Sequence, residues 1–186
     1  MTVGICRLEP EDRRRSRWTP HARIRSETVG QERVKDLLGN VKELAREYYT
    51  LTGRPLGVTA EIAEYEAVLL LGLELAPVRQ PEYDAIRETA SGRTLLQIKG
   101  RRIPAGANSG QRVGRIDLEG EWDAVLLVLL DETFEATAIY EAGRPAITSA
   151  IQTPGSRARN RGQLGVGLFK ALGEVAWSRP GSMPSG

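Results

Sequence analysis

Seven consecutive apolar residues, Ala124 to Leu130, constrain the fold of this chain more than any other stretch. The run is far too short to cross a bilayer, which takes about 20 residues. It also lacks the polar alternation of a strand with one wet face. It fits a strand buried on both faces, running from Trp122 to Asp131. Such a strand needs partners beside it and layers above and below it. Phe134 to Tyr140 reads as its neighbour through the tight Asp131–Thr133 connection.

Helices are available to cover the sheet. Val34, Leu37, Leu38, Val41, Leu44, Ala45 and Tyr48 follow helical spacing, predicting a helix from Ser26 to about Leu51. Gly39 weakens it by roughly 1 kcal/mol relative to Ala. A second helix spans about Thr59 to Leu71, with Thr59 as N-cap, Glu61 in its first turn and Ile62, Tyr65, Val68, Leu69 and Leu71 facing the core. Arg144 to Gln152 reads as a short helix with Pro145 in its first turn, and Leu164 to about Val175 as a weaker one. The expected organisation is a basic, unstructured arm over residues 1–26, one domain over 27–176 and a Pro-, Gly- and Ser-rich tail over 177–186.

Two further strands come from Glu82 to Glu88 and from Arg93 to Arg102, with Ser91 and Gly92 as the turn signal. Side chains alternate along a strand, so Gln97 and Lys99 share one face while Leu96 and Ile98 share the other. A turn centred between Ser91 and Gly92 sets Asp84 opposite Lys99, with Gln97 on the diagonal. The arrangement depends on parity: a register slipped by one residue moves Asp84 to the face opposite Gln97 and Lys99.

An acid, an amide and a lysine on one sheet face can hold a hard cation beside a phosphate. One cysteine, Cys6, and one histidine, His21, exclude a disulfide framework and a Cys/His zinc site, leaving an oxygen-liganded ion such as Mg²⁺. Asp84 is the first candidate ligand, with the Ile98 backbone carbonyl, Gln97 and Glu64 (from the second helix) beside it. Lys99 suits the orienting of a water or the stabilising of developing charge. The same Gln97, Lys99, Arg101 alternation also describes an ordinary half-exposed strand, and spacing alone does not separate the two readings. Asp123 reads either as an extension of the metal site or as a strand-end cap. Tyr48 and Tyr49 read either as base-stacking platforms or as packing.

Net charge is only +2, yet the basic residues are grouped. Lys99, Arg101, Arg102, Arg112 and Arg115 fall in a stretch without acids, as do Arg157, Arg159, Arg161 and Lys170, and a third group spans Arg13 to Arg25. Such patches suit either a solvated surface or a phosphate backbone. Gly165-Val-Gly167 before Lys170 does not make a phosphate-binding Walker loop.

A helix acid, an Asp in a first strand, an (Asp/Glu/Gln)-x-Lys in a second and an apolar third strand together resemble the PD-(D/E)xK, restriction-endonuclease-like nucleases. The Gln97-Ile98-Lys99 version, followed by Gly100-Arg101-Arg102, is most similar to the Mrr branch. Val58 to Glu66, Tyr83-Asp84 and Trp122 to Val125 also look like an uncharacterised bacterial family of the same fold, and the resemblance spans about residues 55–141. It implies an α/β fold with a central four-stranded mixed sheet flanked by helices. It also implies a catalytic set of Glu64, Asp84, Gln97 and Lys99, with Glu61 as the rival helix acid. Gln97 stands where most members carry an acid, and Glu82-Tyr83 separates Pro81 from Asp84. The implied activity is Mg²⁺- or Mn²⁺-dependent hydrolysis of DNA phosphodiesters in the cytoplasm, away from membranes. Arg101, Arg102, Arg112 and Arg115 would hold the backbone, and cutting two strands suits a homodimer. The alternative is a catalytically silent domain of this fold that binds nucleic acid or protein.

Overall fold

Strand β4, Ala124–Leu130, is buried at all seven positions in the computed structural model. The structure describes residues 20–181 apart from 91, 105, 107–109 and 156–158, with side chains from residue 30 onward. Cys6, Arg13 to Arg17, Arg157, the side chains of His21, Arg23 and Arg25, and the tail from residue 182 lie outside what is described. On either side of β4 lies one open mixed sheet, ordered β1-β2-β3-β4-β5-β6 as in the chain. Its strands are β1 Glu74–Leu75, β2 Ala85–Thr89, β3 Gly92–Arg102, β4, β5 Ala136–Gly143 and β6 Glu174–Ser178. Strands β3 and β4 run parallel and every other neighbouring pair is antiparallel.

The α/β class and the single mixed sheet agree with the sequence expectation, but six strands replace four. β1 is only two residues long and pairs with β2. β6 occupies Trp177 and Ser178, which were expected in the tail. Trp177 packs against the core, and the Arg179 N–H reaches the Thr137 carbonyl, so the ordered chain extends past residue 176.

Helix α1 covers Pro20–Thr52, so residues 20–26, expected in the arm, are helical. The chain divides into residues 1–37 and 38–186. In the second unit, Leu38, Val41 and Ala45 pack on the core, while Leu44 and Tyr48 are exposed. The Lys42 ammonium bridges Glu66 at 2.6 Å and Glu135 at 2.9 Å. Val34 and Leu37, on the first unit, are also exposed.

Helix α2 is Thr59–Leu71, as expected, but Thr59 is not its cap. Val58 is the N-cap residue, and its carbonyl accepts the first helical bond from Ile62. α2 lies on the sheet face formed by Leu96, Ile98, Leu126 and Val128. Helices α3, Arg144–Gln152, and α4, Val166–Leu172, cover the other face with Val125, Leu127 and Leu129. The α3 bounds match the sequence reading, whereas α4 stops short because Gly173 breaks the helix and Glu174 starts β6.

Two close approaches fix these layers. A Cβ on Gly100 would stand 2.6 Å from Ala63 Cβ and 2.7 Å from the Thr59 carbonyl, so α2 rests directly on the β3 backbone. On the other face, the segment 111–116 runs beside 162–166 through Val166 N–H to Gln111 O, Val113 N–H to Leu164 O and Ile116 N–H to Gly162 O. Gly162 has φ +69°, and a Cβ there would meet the Ile116 carbonyl at 2.8 Å.

Candidate active site

The β2–β3 register is slid two residues from the expected one. Ala85 pairs with Leu96 rather than Ile98, because Thr89 pairs with Gly92 and the turn is centred one residue earlier. Gly92 opens β3 instead of sitting in the turn. A two-residue slide preserves the faces. Asp84, just before β2, therefore stays on the side of Gln97 and Lys99, but extending the register puts it opposite Gln97, with Lys99 on the diagonal. Its backbone N–H donates to the Leu96 carbonyl at 2.8 Å.

β2 ends here while β3 continues to Arg102, which leaves β3 an open edge from Gln97 onward. The Ile98 N–H donates to Asp84 Oδ2 at 2.6 Å, tying the carboxylate to this edge. The N–H and C=O of one antiparallel-type strand residue leave by the same edge, so the Ile98 carbonyl faces it as well. Lys99 Nζ lies 3.9 Å from Asp84 Oδ2. Asp84 Oδ1 has no hydrogen bond among the described residues.

Glu64 lies on α2, next in sequence to Ala63 at the Gly100 contact. Its half-buried carboxylate has no hydrogen bond or ion pair among the described residues. Burial, and behind it the negative charges of Asp84 and Glu61, push its pKa above the ordinary value, while Lys99 pulls the other way. The coupling places Glu64 within electrostatic reach of Asp84 and Lys99. Glu61, the rival helix acid, is exposed.

A cavity of about 250 Å³ opens over Asp84, Gln97 and Lys99, lined also by Pro81, Glu82, Arg115 and Asp117, and Glu64 is not part of its lining. Gln97 is the one buried polar residue among the described residues, at 4% exposure. Its amide nitrogen donates to the Asp117 carbonyl at 3.4 Å. That carbonyl also accepts the Trp122 indole N–H at 2.6 Å. Arg144 holds the same loop through the Leu118, Gly120 and Trp122 carbonyls, with its guanidinium 4.7 Å from the Trp122 ring centroid. Asp117, Trp122 and Arg144 thus belong to the site's frame, although the sequence offered only an acidic turn and a strand start there. Nothing local in the sequence signals contacts spanning 20 to 26 residues.

The four arginines assigned to a phosphate backbone separate into two kinds. Arg101 donates to the Arg112 and Gly100 carbonyls, and burial lowers its pKa. Arg102 points to the opposite face, where its guanidinium lies 4.6 Å from the Tyr49 ring centroid and 5.1 Å from that of Phe134, and donates to the Glu132 carbonyl. Tyr49 is therefore a packing residue. Arg112 and Arg115 are exposed, and neither side chain has a hydrogen bond or ion pair among the described residues. Asp123 accepts the Leu95 N–H through Oδ2 at 2.7 Å and clamps β3 to β4, the strand-end role.

Among the described residues no three His, Cys, Asp or Glu side chains gather into a metal-binding group. A hard cation here would have to draw on Asp84 and, from α2, Glu64, with neutral oxygens from Gln97 and Ile98 and with water. That is a donor set Mg²⁺ accepts. Carboxylate, amide and backbone carbonyl oxygens are the donor chemistry of a hard cation, and in that respect the residues fit the ion. No helix among the described residues is long and apolar enough to cross a membrane. The chain matches no family model and no curated protein.

Proposed function

We propose that this protein is a Mg²⁺- or Mn²⁺-dependent endonuclease of the restriction-endonuclease-like class that hydrolyses DNA phosphodiesters. One observation carries the reading. At the open edge of β3, Asp84 is fixed by the Ile98 N–H at 2.6 Å, stands 3.9 Å from Lys99 Nζ and shares one cavity with Lys99 and Gln97. The order helix acid, Asp, Gln-x-Lys, buried strand supports it.

Asp84, Glu64, Gln97 and the Ile98 carbonyl would hold the ion. When bound, it polarises a phosphate oxygen and lowers the pKa of an attacking water. Lys99 orients the water and offsets negative charge as it builds on the phosphate. The Ile98 N–H keeps the Asp84 carboxylate oriented. Glu64, through an oxygen not on the ion, takes the proton that the attacking water gives up. The water oxygen bonds to phosphorus, the bond to the leaving sugar oxygen breaks, and that oxygen takes up a proton, leaving a phosphomonoester and a hydroxyl. Arg112 and Arg115, exposed and without a side-chain partner among the described residues, hold the backbone beside the site without reading sequence.

Gln97 favours a second reading, a catalytically silent DNA-binding domain, because its amide is engaged by Asp117 and adds no charge to the site. Supercoiled plasmid with Mg²⁺ or Mn²⁺ separates the two. The nuclease reading expects nicking or linearisation by wild type and none by Lys99→Ala or Asp84→Ala. Equal cleavage by all three, or none by wild type with salt-sensitive DNA binding retained, overturns it.

A further inference from the structure

The two basic stretches, some 50 residues apart in the chain, meet in the fold. The bonds from 111–116 to 162–166 set Arg115 beside the 3₁₀ turn Arg159–Arg161. Between that turn, the 115–119 loop and Ile151 at the end of α3 lies a cavity of about 610 Å³. It shares Arg115 and Asp117 with the cavity over Asp84, Gln97 and Lys99, so the two adjoin.

The lining is sorted by chemistry. Leu118 provides apolar surface at the mouth, with buried Ile116 and Ile151 behind it, and Asn160 and Gln163 provide amides that both donate and accept. Arg115 and Arg161 have no partner among the described residues, whereas Arg159 is held by the Thr153 and Pro154 carbonyls. Asp117 and Glu119 line the cavity too, so free phosphate is repelled from their side and attracted only toward Arg115 and Arg161. A neutral, flat, hydrogen-bonding body with a phosphate at each end matches this pattern. A space of this size admits a nucleotide, whereas a duplex keeps its bases stacked and paired out of reach.

We infer that this cavity receives one unpaired nucleotide of a DNA strand next to the phosphate at the active site, with Arg115 and Arg161 on its flanking phosphates. The inference rests on the nuclease reading and gives it a substrate class: DNA carrying an unpaired nucleotide, in a single strand or a bulge, in preference to blunt duplex. Apolar and guanidinium surfaces take the face of any base, so the preference is for the unpaired state and not for one base.

Fluorescence anisotropy with the full chain in EDTA tests this without cleavage. The probes are three labelled DNAs of one sequence: single strand, blunt duplex and duplex with one bulged nucleotide. The expected result is at least tenfold tighter binding of the bulged duplex than of the blunt one. Exposed Arg161→Ala and Asn160→Ala should reduce that ratio and leave blunt-duplex affinity within about twofold. Equal affinity for the two duplexes, or an equal loss on all three DNAs in both variants, overturns the pocket. Plasmid cleavage without a bulge preference sinks the pocket and keeps the nuclease. A bulge preference without metal-dependent cleavage keeps the pocket and sinks the nuclease. Binding to none of the three overturns both.

Discussion

Asp131 and Glu64 are both partly buried acids next to the sheet, and the fold treats them in opposite ways. Asp131 Oδ1 accepts from the Thr133 N–H, the Thr133 hydroxyl and the Glu135 N–H, while Oδ2 meets Arg179 at 2.9 Å. Burial disfavours its charge, but the Thr133 hydroxyl, Arg179 and the two N–H groups outweigh burial and hold its pKa below the ordinary value. Glu64 receives no such partner among the described residues. Burial, Asp84 and Glu61 raise its pKa, while Lys99 pulls the other way. A buried charge left unsatisfied costs stability. Among the described residues four contacts are completed to Asp131, just past β4, and none to Glu64 on α2, so the first is a structural carboxylate and the second is the one for which we propose a ligand.

Substitutions around the two acids should therefore diverge. The largest difference is expected in catalysis: Asp84→Ala and Lys99→Ala should lower plasmid cleavage by about 100-fold or more, whereas folded Asp131→Ala should cleave as wild type does. Next comes Gly100→Ala, where the new Cβ forces α2 off β3. Overpacking of this kind costs about 1–3 kcal/mol, measurable by urea unfolding, and should reduce cleavage too, because α2 carries Glu64. Asp131→Ala should cost a comparable 1–3 kcal/mol, roughly what hydrogen bonds to a charged group contribute. A Gly100→Ala protein with unchanged cleavage would show that Glu64 is not positioned through that contact.

The smallest effect has the most informative sign. Glu64 binds its proton more tightly folded than unfolded. Between the ordinary value of 4.5 and its raised folded value, the folded state holds more protons, and stability falls as pH rises. Asp131 has the reverse relation: its contribution is full above the ordinary value of 3.8 and is lost as pH falls through the lower folded value. Glu64→Gln should raise the neutral-pH Tm slightly and flatten the decline above pH 4.5, while Asp131→Asn should lower the Tm. Thermal melts across pH 3 to 8 check both slopes.

What could be read from the sequence follows the range of the interactions involved. β4, α2 and α3 came from local periodicity and turn residues, and their bounds agree with the structure to within the expected fraying. The hairpin was legible in parity but not in register, because Gly92 serves as the first residue of β3 and the sequence does not show where a Ser-Gly turn is centred. β1 and β6 are short edge strands created by their partners, without a hydrophobic signature of their own. Asp84, Gln97 and Lys99 came together because strand alternation is strict. Asp117 and Arg144 were missed because their places depend on backbone carbonyls far along the chain. Alternation also separates Arg101 from Arg102, a distinction available in the sequence that a count of basic residues passes over.

Manganese binding tests the central claim, that the Glu64–Asp84 edge awaits a cation, more directly than any rate. Mn²⁺ titrated at neutral pH and followed by electron paramagnetic resonance should show one bound ion per chain in wild type, with a matching rise in Tm. Both should persist in Asp131→Asn and vanish in Asp84→Asn. Absence of a bound ion in wild type, or binding that survives in Asp84→Asn, would contradict the account.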